Sequence, residues 1–257
     1  MKFRSRLFSR VLLGMWVSLV TVSVAHAAEP IKLGIIGLDT SHVTAFTKIL
    51  NDDTQENHIP GTKVIAAYKG GSPDIESSHT RVEGFTKTLQ EEYGVQIVDT
   101  IEELCTMVDA VLLESVDGRP HLEQVKPVFA AGLPVFIDKH LADNWADAKF
   151  LYDSAQEMEI PIMAGSSLPT TWRRPAVDMR RRARLKEMVT ITYGSTDAYG
   201  FHALELAQAL AERRGRGETG IEAVQGLEGD AVWRAFEEEC FDLSLFQAAW
   251  DRLENPR

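Results

Sequence analysis

The sequence predicts an α/β protein with a doubly wound parallel sheet, followed by a second, smaller and only partial α/β domain. Between Ile31 and about Ser167, short apolar runs alternate with amphipathic helical stretches. Such alternation is typical of a parallel sheet covered on both faces, because parallel neighbours need crossover helices. Only 87 residues follow position 170, which makes the second domain the smaller one.

The individual elements follow from apolar runs and helical spacing. Six strands are predicted in the first part of the chain: Ile31–Ile36, Lys63–Tyr68, Gln96–Val98, Ala110–Glu114, Pro134–Ile137 and Pro161–Ala164. Five helices are predicted between them: Val43–Asn51, Arg81–Tyr93, Ile101–Val108, His121–Ala131 and Trp145–Glu157. Further on we predict one strand and two helices, the last of them acidic: Met188–Thr192, Ala203–Glu212 and Ala231–Phe241.

The first strand runs into a glycine turn at Gly37 and then a helix start at Thr40 and Ser41, which is how a Rossmann unit opens. In the full G-x-G-x-x-G pattern the next glycines would fall at positions occupied here by Asp39 and His42. A carboxylate in the second glycine position would face a pyrophosphate. At 4 Å and an effective dielectric constant near 20, the repulsion is about 4 kcal/mol. The motif therefore predicts the scaffold and leaves the cofactor open.

Residues 1–27 are predicted to form a secretory signal peptide. Four basic residues precede the 14-residue apolar stretch Val11–Val24, and Ala25-His26-Ala27 matches an A-x-A cleavage site. A membrane-spanning helix needs about 20 apolar residues, so an uncleaved anchor is the weaker alternative. We expect cleavage after Ala27, export to the periplasm or cell envelope, and no membrane contact beyond the signal peptide.

The charge of the chain limits its partners. The net charge is −11, and without the four basic residues of the signal peptide it becomes −15. So acidic a surface argues against general nucleic-acid binding and against an anionic membrane surface. Two cysteines do not make a disulfide framework, and Cys105 is expected to be a buried apolar filler.

Four segments of the chain together resemble one enzyme family: Gly34-Ile35-Ile36-Gly37, Asp109–Glu114, Pro120–Gln124 and Ala130–Lys139. They resemble the Gfo/Idh/MocA oxidoreductases, which pair a Rossmann domain with an α/β sheet domain and act mostly on sugars and polyols. The resemblance covers Ile31 to Ser167 well and Val189 to Trp233 more loosely. The Gly-Leu-Asp-Thr-Ser-His opening and the Tyr199–Glu205 segment are similar to an exported, planctomycete-type branch. We therefore predict a Rossmann-like NAD(P)-binding domain over residues 30–168 and a partial C-terminal substrate domain over residues 169–257.

The resemblance implies a catalytic site. Lys139 would hydrogen-bond the substrate oxygen and help to move its proton, and Asp138 would position this lysine. His202 would be a second general acid/base with Asp197 beside it, although these two are five residues apart where four is usual, and His140 replaces the proline of the family's E-K-P motif.

The resemblance also implies a cofactor, NADP or NAD, and no metal. Strand two lacks the acid that would bind a ribose 2′-hydroxyl, and Lys69 with Ser72 could hold a 2′-phosphate instead, which favours NADP. The predicted cofactor-binding residues are Gly37, Asp39, Thr40, Ser41, His42, Lys69, Ser72, Glu114, His121 and Lys139.

Three functional readings stay open at this point. The first is an exported NAD(P)-dependent oxidoreductase acting on a small sugar-like or polyol-like molecule, with homo-oligomerisation also open. The second is a non-catalytic, exported carbohydrate-binding or sensory homologue that has lost the cofactor. The third is a metal-assisted hydrolase or lyase without a tight ligand motif, using His42, Glu114, His121 and His140.

Overall fold

The computed structural model describes residues 29–173, 176, 180, 183–194, 196–213 and 220–253. The predicted signal peptide, residues 1–27, lies outside the described residues. The strands are β1 Ile31–Ile36, β2 Thr62–Tyr68, β3 Gln96–Val98, β4 Ala110–Leu113, β5 Val135–Asp138 and β6 Ile162–Gly165. The helices are α1 His42–Asn51, α2 Glu76–His79, α3 Val82–Tyr93, α4 Ile101–Met107, α5 His121–Ala130, α6 Trp145–Glu157, α7 Phe201–Ala211, α8 Asp230–Glu237 and α9 Leu243–Trp250.

The six strands form one parallel sheet in the order β3-β2-β1-β4-β5-β6. The strand order reverses between β1 and β4, and ligands of such sheets bind at this reversal, outside the carboxyl ends of the strands. The predicted doubly wound, Rossmann-like α/β fold is confirmed. All six strands of the first part of the chain were predicted to within a residue or so at each end.

The core lies on both faces of the sheet, as in other all-parallel sheets. Leu33 and Ile35 pack on one face with α1 and α3, while Ile36 on the other face joins a larger cluster with α4, α5 and α6. Successive residues of a strand point to opposite faces, which explains this split. On the second face, Gly34 has no side chain, and a Cβ there would lie 3.0 Å from Leu104. Glycine therefore allows α4 to pack closely on β1.

The part after β6 differs from the prediction. Residues 188–192 belong to neither a helix nor a strand, so the predicted strand Met188–Thr192 is wrong. A strand needs a neighbour for its backbone hydrogen bonds, and the described residues beyond Gly165 contain no strand that could pair with it. The secondary-structure elements in the described residues beyond Gly165 are helices. The division of the chain into two domains stays a prediction.

Both C-terminal helices that were predicted exist with shifted bounds, as α7 and α8. A π-helical turn, Thr196–Gly200, leads directly into α7, which therefore begins two residues early. Helices α2 and α9 were not predicted. Of the helices in the described residues, none is long and apolar enough to cross a membrane.

The two cysteines are free. Cys105 is half-buried and packs against the larger core cluster. Burial, with a smaller contribution from the charge of Glu102, raises the pKa of its thiol to about 11. Cys105 therefore behaves mainly as an apolar side chain at neutral pH, and the prediction of an apolar filler holds with less burial than expected.

Candidate functional site

Three carboxyl groups meet where β1, β4 and β5 end, and we call them the acidic cluster: Asp39, Glu114 and Asp138. All three are buried, Asp39 and Glu114 completely. Asp39 accepts hydrogen bonds from Ser78 Oγ at 2.6 Å and from the Val116 backbone N–H at 3.1 Å. The structure therefore gathers three sequence-predicted site residues at one edge of the sheet.

Glu114 is the central member of the acidic cluster. In the described part of the chain neither of its carboxyl oxygens has a hydrogen-bond partner. Burial, and after it the negative charges of Asp138 and Asp39, raise the pKa of Glu114 well above its ordinary value. Burial favours the neutral form of a carboxyl group, and nearby like charges act in the same direction. This environment thus favours the uncharged carboxylic acid form of Glu114.

Asp138, at the end of β5, is linked to the start of α1. His42 Nδ1 lies 2.6 Å from Asp138 Oδ2. The imidazole also packs against Phe46, with ring centroids 5.6 Å apart, and Phe46 in turn contacts Phe136 of β5. The residue in the third glycine position is therefore held at the rim by a buried carboxylate and an aromatic ring.

The β1–α1 turn keeps the first glycine of the fingerprint for a steric reason. Gly37 has a φ of +90°, and a Cβ there would lie 2.3 Å from Ser115 Oγ and 2.5 Å from the Ser115 backbone nitrogen. Behind it, Asp39 points into the protein and binds two donors, so its carboxylate does not line the crevice. Thr40 is buried, while Ser41 is exposed at the N-cap of α1.

The loop after β2 holds its predicted cofactor ligands in contacts within the chain. Lys69 forms an ion pair with Glu83, with Nζ–O distances of 2.9 and 3.0 Å. Ser72 Oγ donates to Asp117 at 2.5 Å. Ser78, further along the same loop, donates to Asp39. A 2′-phosphate would have to compete with these partners for Lys69 and Ser72.

Asp117 connects this loop to the one after β4. Burial acts to raise its pKa, but hydrogen bonds from Arg119 and Ser72 outweigh that effect and lower the pKa of Asp117 to about 2. Arg119 also binds Asp74 with two hydrogen bonds, of 2.8 and 2.9 Å. The loops after β2 and β4 are thus joined by a carboxylate–guanidinium network.

The predicted catalytic residues approach one another at the ends of β5 and β6. Lys139 is half-buried after β5. Helix α7 brings His202 to the loop after β6, where its Nδ1 contacts Ser166 Oγ, and the Phe201 ring lies 5.8 Å from the His140 ring. Desolvation, and after it the charge of Lys139, lower the pKa of His202. Lys139 and His202 therefore share one rim.

His121 and Asp197 are two further predicted site residues. His121 is fully buried, with Nε2 3.0 Å from the Ser115 carbonyl oxygen and Nδ1 3.3 Å from that of Leu141. Desolvation lowers its pKa, and it lies beneath the surface of the crevice. Asp197 lies in the π-helical turn before α7, and its side chain is outside the described residues.

Two contributors to the site were missed by sequence reasoning. Ser78, the donor to Asp39, sits in the four-residue helix α2, which carries no periodic signal. Glu205 accepts a hydrogen bond from the Ser166 backbone N–H at 3.3 Å. Its spacing of three residues from His202 places both on one helix face and could have indicated its position. Within the described residues, no group of three or more His, Cys, Asp and Glu side chains is arranged to hold a metal.

Comparison with known proteins identifies the family. Residues 31–166, more than half of the chain, match the model of the Gfo/Idh/MocA oxidoreductase family with an NAD-binding Rossmann fold. The chain belongs to this family, as the resemblance predicted, and the predicted cofactor class, NADP or NAD, is that of the family. A search among curated proteins finds no significant match.

Solved structures with the same fold are more distant. A dehydrogenase from Clostridium difficile is 23% identical, with a TM-score of 0.40 over 52% of this chain and 39% of that one. Scyllo-inositol dehydrogenase from Lactobacillus casei with bound NAD(H) and scyllo-inositol is 19% identical, with a TM-score of 0.43 over 55% and 37%. Biliverdin reductase from Synechocystis with biliverdin and NADP+ is also 19% identical, with a TM-score of 0.42 over 53% and 38%. The chain spans about two fifths of the length of these proteins.

The crevice fits a dinucleotide on the side of β1. The tight turn at Gly37 and the N-terminus of α1 provide the usual phosphate position, since the first N–H groups and the dipole of a helix favour anions there. Asp39, which the sequence placed against the pyrophosphate, has both carboxyl oxygens hydrogen-bonded inside the protein. The fit is poorer on the side of β2, where the loop is already paired with other parts of the chain.

Proposed function

We propose that this protein is an NAD(P)-dependent oxidoreductase acting on a sugar or a polyol-like molecule. One observation carries the proposal beyond family membership: Lys139 and His202 come from distant parts of the chain and lie at the same rim as the Gly37 turn. Lys139 follows β5 directly, and its charge is one of the influences on the pKa of His202. Alcohol oxidation requires a proton acceptor beside the reacting oxygen, and this rim holds two proton-carrying groups.

Each side chain has a separate proposed role. Gly37, Ser41 and the N-terminus of α1 would receive the pyrophosphate. Lys139 would hydrogen-bond the reacting hydroxyl group and help to move its proton, and His202 would orient the substrate from the other side. When bound, the dinucleotide supplies the hydride acceptor or donor.

Export belongs to the same proposal. The basic segment, apolar stretch and A-x-A site of residues 1–27 support a signal peptide cleaved after Ala27 and a location in the periplasm or cell envelope. The strong acidity of the chain argues against a nucleic-acid partner. A homo-oligomer is compatible with this proposal.

The test is cofactor binding followed by turnover. The protein without residues 1–27 is titrated with NAD and NADP by calorimetry, and then assayed with a panel of inositols and sugars at 340 nm. We expect micromolar binding of one dinucleotide. Lys139→Met should keep this affinity and lose at least a hundredfold in kcat, since general acid–base catalysis typically contributes about 10²–10⁴-fold.

Lys126→Met is the matched control, because Lys126 is an exposed lysine on α5 that pairs with Glu123, away from the rim. It should change neither binding nor turnover. If neither dinucleotide binds at millimolar concentration, the enzyme proposal is wrong, and the non-catalytic alternative is the one supported.

A further inference from the structure

His42 combines features that the family resemblance does not explain. It occupies the position of a phosphate-binding glycine, yet its ring is linked to Asp138, 96 residues further along the chain. The side chain of Asp138 is only 5% exposed, whereas that of His42 is 28% exposed. The carboxylate is therefore inside the protein and the imidazole edge reaches the rim.

The contact with Asp138 determines which ring nitrogen carries the proton. A carboxylate can only accept hydrogen bonds, so the nitrogen that faces it at 2.6 Å must be the donor. In the neutral ring this leaves the lone pair on Nε2. A buried carboxylate that orients a histidine in this way also stabilises the imidazolium, as in carboxylate–histidine pairs of hydrolases.

We propose that His42 and Asp138 form a carboxylate–imidazole pair whose Nε2 takes up the proton lost by the substrate hydroxyl group. This inference rests on the proposed function. The O–H bond of the alcohol breaks and its proton goes to His42 Nε2. The C–H bond breaks with its electron pair as hydride goes to the oxidised nicotinamide dinucleotide, which leaves a carbonyl compound. Lys139, next to Asp138 in the chain, hydrogen-bonds the oxygen during this step.

The charges around the ring support a proton-binding role. Asp138 on β5 contacts His42 directly, and Asp39 and Glu114 lie in the same acidic cluster at the ends of β1 and β4. Lys139 and His202 are also near, since the charges of Lys139, Asp138 and His42 all act on the pKa of His202. Of the three acids in the cluster, Asp138 is the one hydrogen-bonded to the ring, so Asp138 supplies the negative charge that an imidazolium at position 42 needs.

The first arm of the test needs no substrate. Imidazole nitrogen NMR spectra are recorded on the protein without residues 1–27, with His42→Gln used to assign the signals. In the wild type we expect the Nδ1–H tautomer for the neutral ring. Asp138→Asn should weaken the preference for this tautomer, because an amide can present either its oxygen or its NH2 group to the ring.

Asp153→Asn is the control, since Asp153 is an exposed acid on α6 that pairs with Lys149. It should leave the His42 tautomer unchanged. An Nε2–H tautomer in the wild type, or the same tautomer populations in wild type and Asp138→Asn, would show that the pair does not exist and would overturn the proposal.

The second arm measures proton uptake in turnover. His42→Gln should bind dinucleotide within about threefold of the wild type, lose at least a hundredfold in kcat, and lose the acid limb of the kcat/KM profile. A large loss of dinucleotide affinity would instead assign His42 to phosphate binding and overturn the proton role. If the wild type turns over no substrate, the proposed function fails and the proton role with it, while the NMR result decides separately whether the pair exists.

Discussion

Replacing Glu114 with glutamine should make the stability of the protein less dependent on pH. Glu114 is fully buried, and neither carboxyl oxygen has a hydrogen-bond partner in the described residues. Burial and the charges of Asp138 and Asp39 raise its pKa well above the ordinary value of 4.5. Glutamine has nearly the same shape, carries no proton to release, and brings two N–H donors to a site flanked by carboxylates.

The size of the effect follows from proton linkage. Above pH 4.5 the unfolded chain releases the Glu114 proton while the folded chain keeps it, so the folded state binds more protons and stability falls as pH rises. The slope is about 1.4 kcal/mol per pH unit until pH reaches the folded-state pKa. The full contribution is present below pH 4.5 and is lost above it. Glu114→Gln removes this slope, so its free energy of unfolding should rise relative to that of the wild type by about 1.4 kcal/mol per pH unit.

Urea unfolding at pH 5, 6, 7 and 8 measures this difference directly. The free energies of unfolding of wild type and Glu114→Gln should diverge with rising pH, with glutamine becoming progressively favoured. Glu123→Gln makes the same chemical change at an exposed position on α5 and should follow the wild-type slope. Parallel curves for wild type and Glu114→Gln would refute a buried, protonated Glu114.

Two further predictions concern the loops around the acidic cluster. Gly37→Ala should destabilise the fold by about 3 kcal/mol or more in urea unfolding, because it combines a left-handed backbone with a Cβ 2.3 Å from Ser115 Oγ. Gly61→Ala, with a φ of +82° and open space around it, should cost only about 1 kcal/mol, and equal losses would contradict the steric argument. Ser78→Ala should lower the free energy of unfolding by about 1–3 kcal/mol, because it leaves Asp39 without its hydroxyl donor. Ser77→Ala, at an exposed position, should have little effect. An unchanged stability of Ser78→Ala would show that this hydrogen bond does not hold the loop.

The sheet was predictable because its strands are short apolar runs with clear boundaries. Both faces of a parallel sheet are buried, so each strand carries its own signal, and the alternation with helices determines that neighbours are parallel. The same local signal failed at Met188–Thr192. A strand also depends on a partner, and hydrophobicity within five residues does not show whether a neighbouring strand exists.

The candidate site was predictable as a set of positions but not as a set of contacts. Asp39, Glu114 and Asp138 follow three strands of one parallel sheet, so the sequence places them at one edge. The link between His42 and Asp138 spans 96 residues, and the pair of Lys69 with Glu83 depends on how α3 packs. Such pairings follow from tertiary packing, which is why Lys69 was predicted as a phosphate ligand while its ion pair with Glu83 was not predicted.

The two non-glycine residues of the fingerprint have opposite consequences for a ligand. An aspartate in the second glycine position would repel a pyrophosphate by about 4 kcal/mol if it faced the ligand. Asp39 avoids this cost by turning inward, where Ser78 and Val116 donate to it. His42 turns outward to the rim and brings a proton acceptor to a position where glycine brings none. His42 is hydrogen-bonded to Asp138, and Asp138 precedes Lys139 in the chain. The altered glycine fingerprint and the Asp138-Lys139 pair therefore form one connected site.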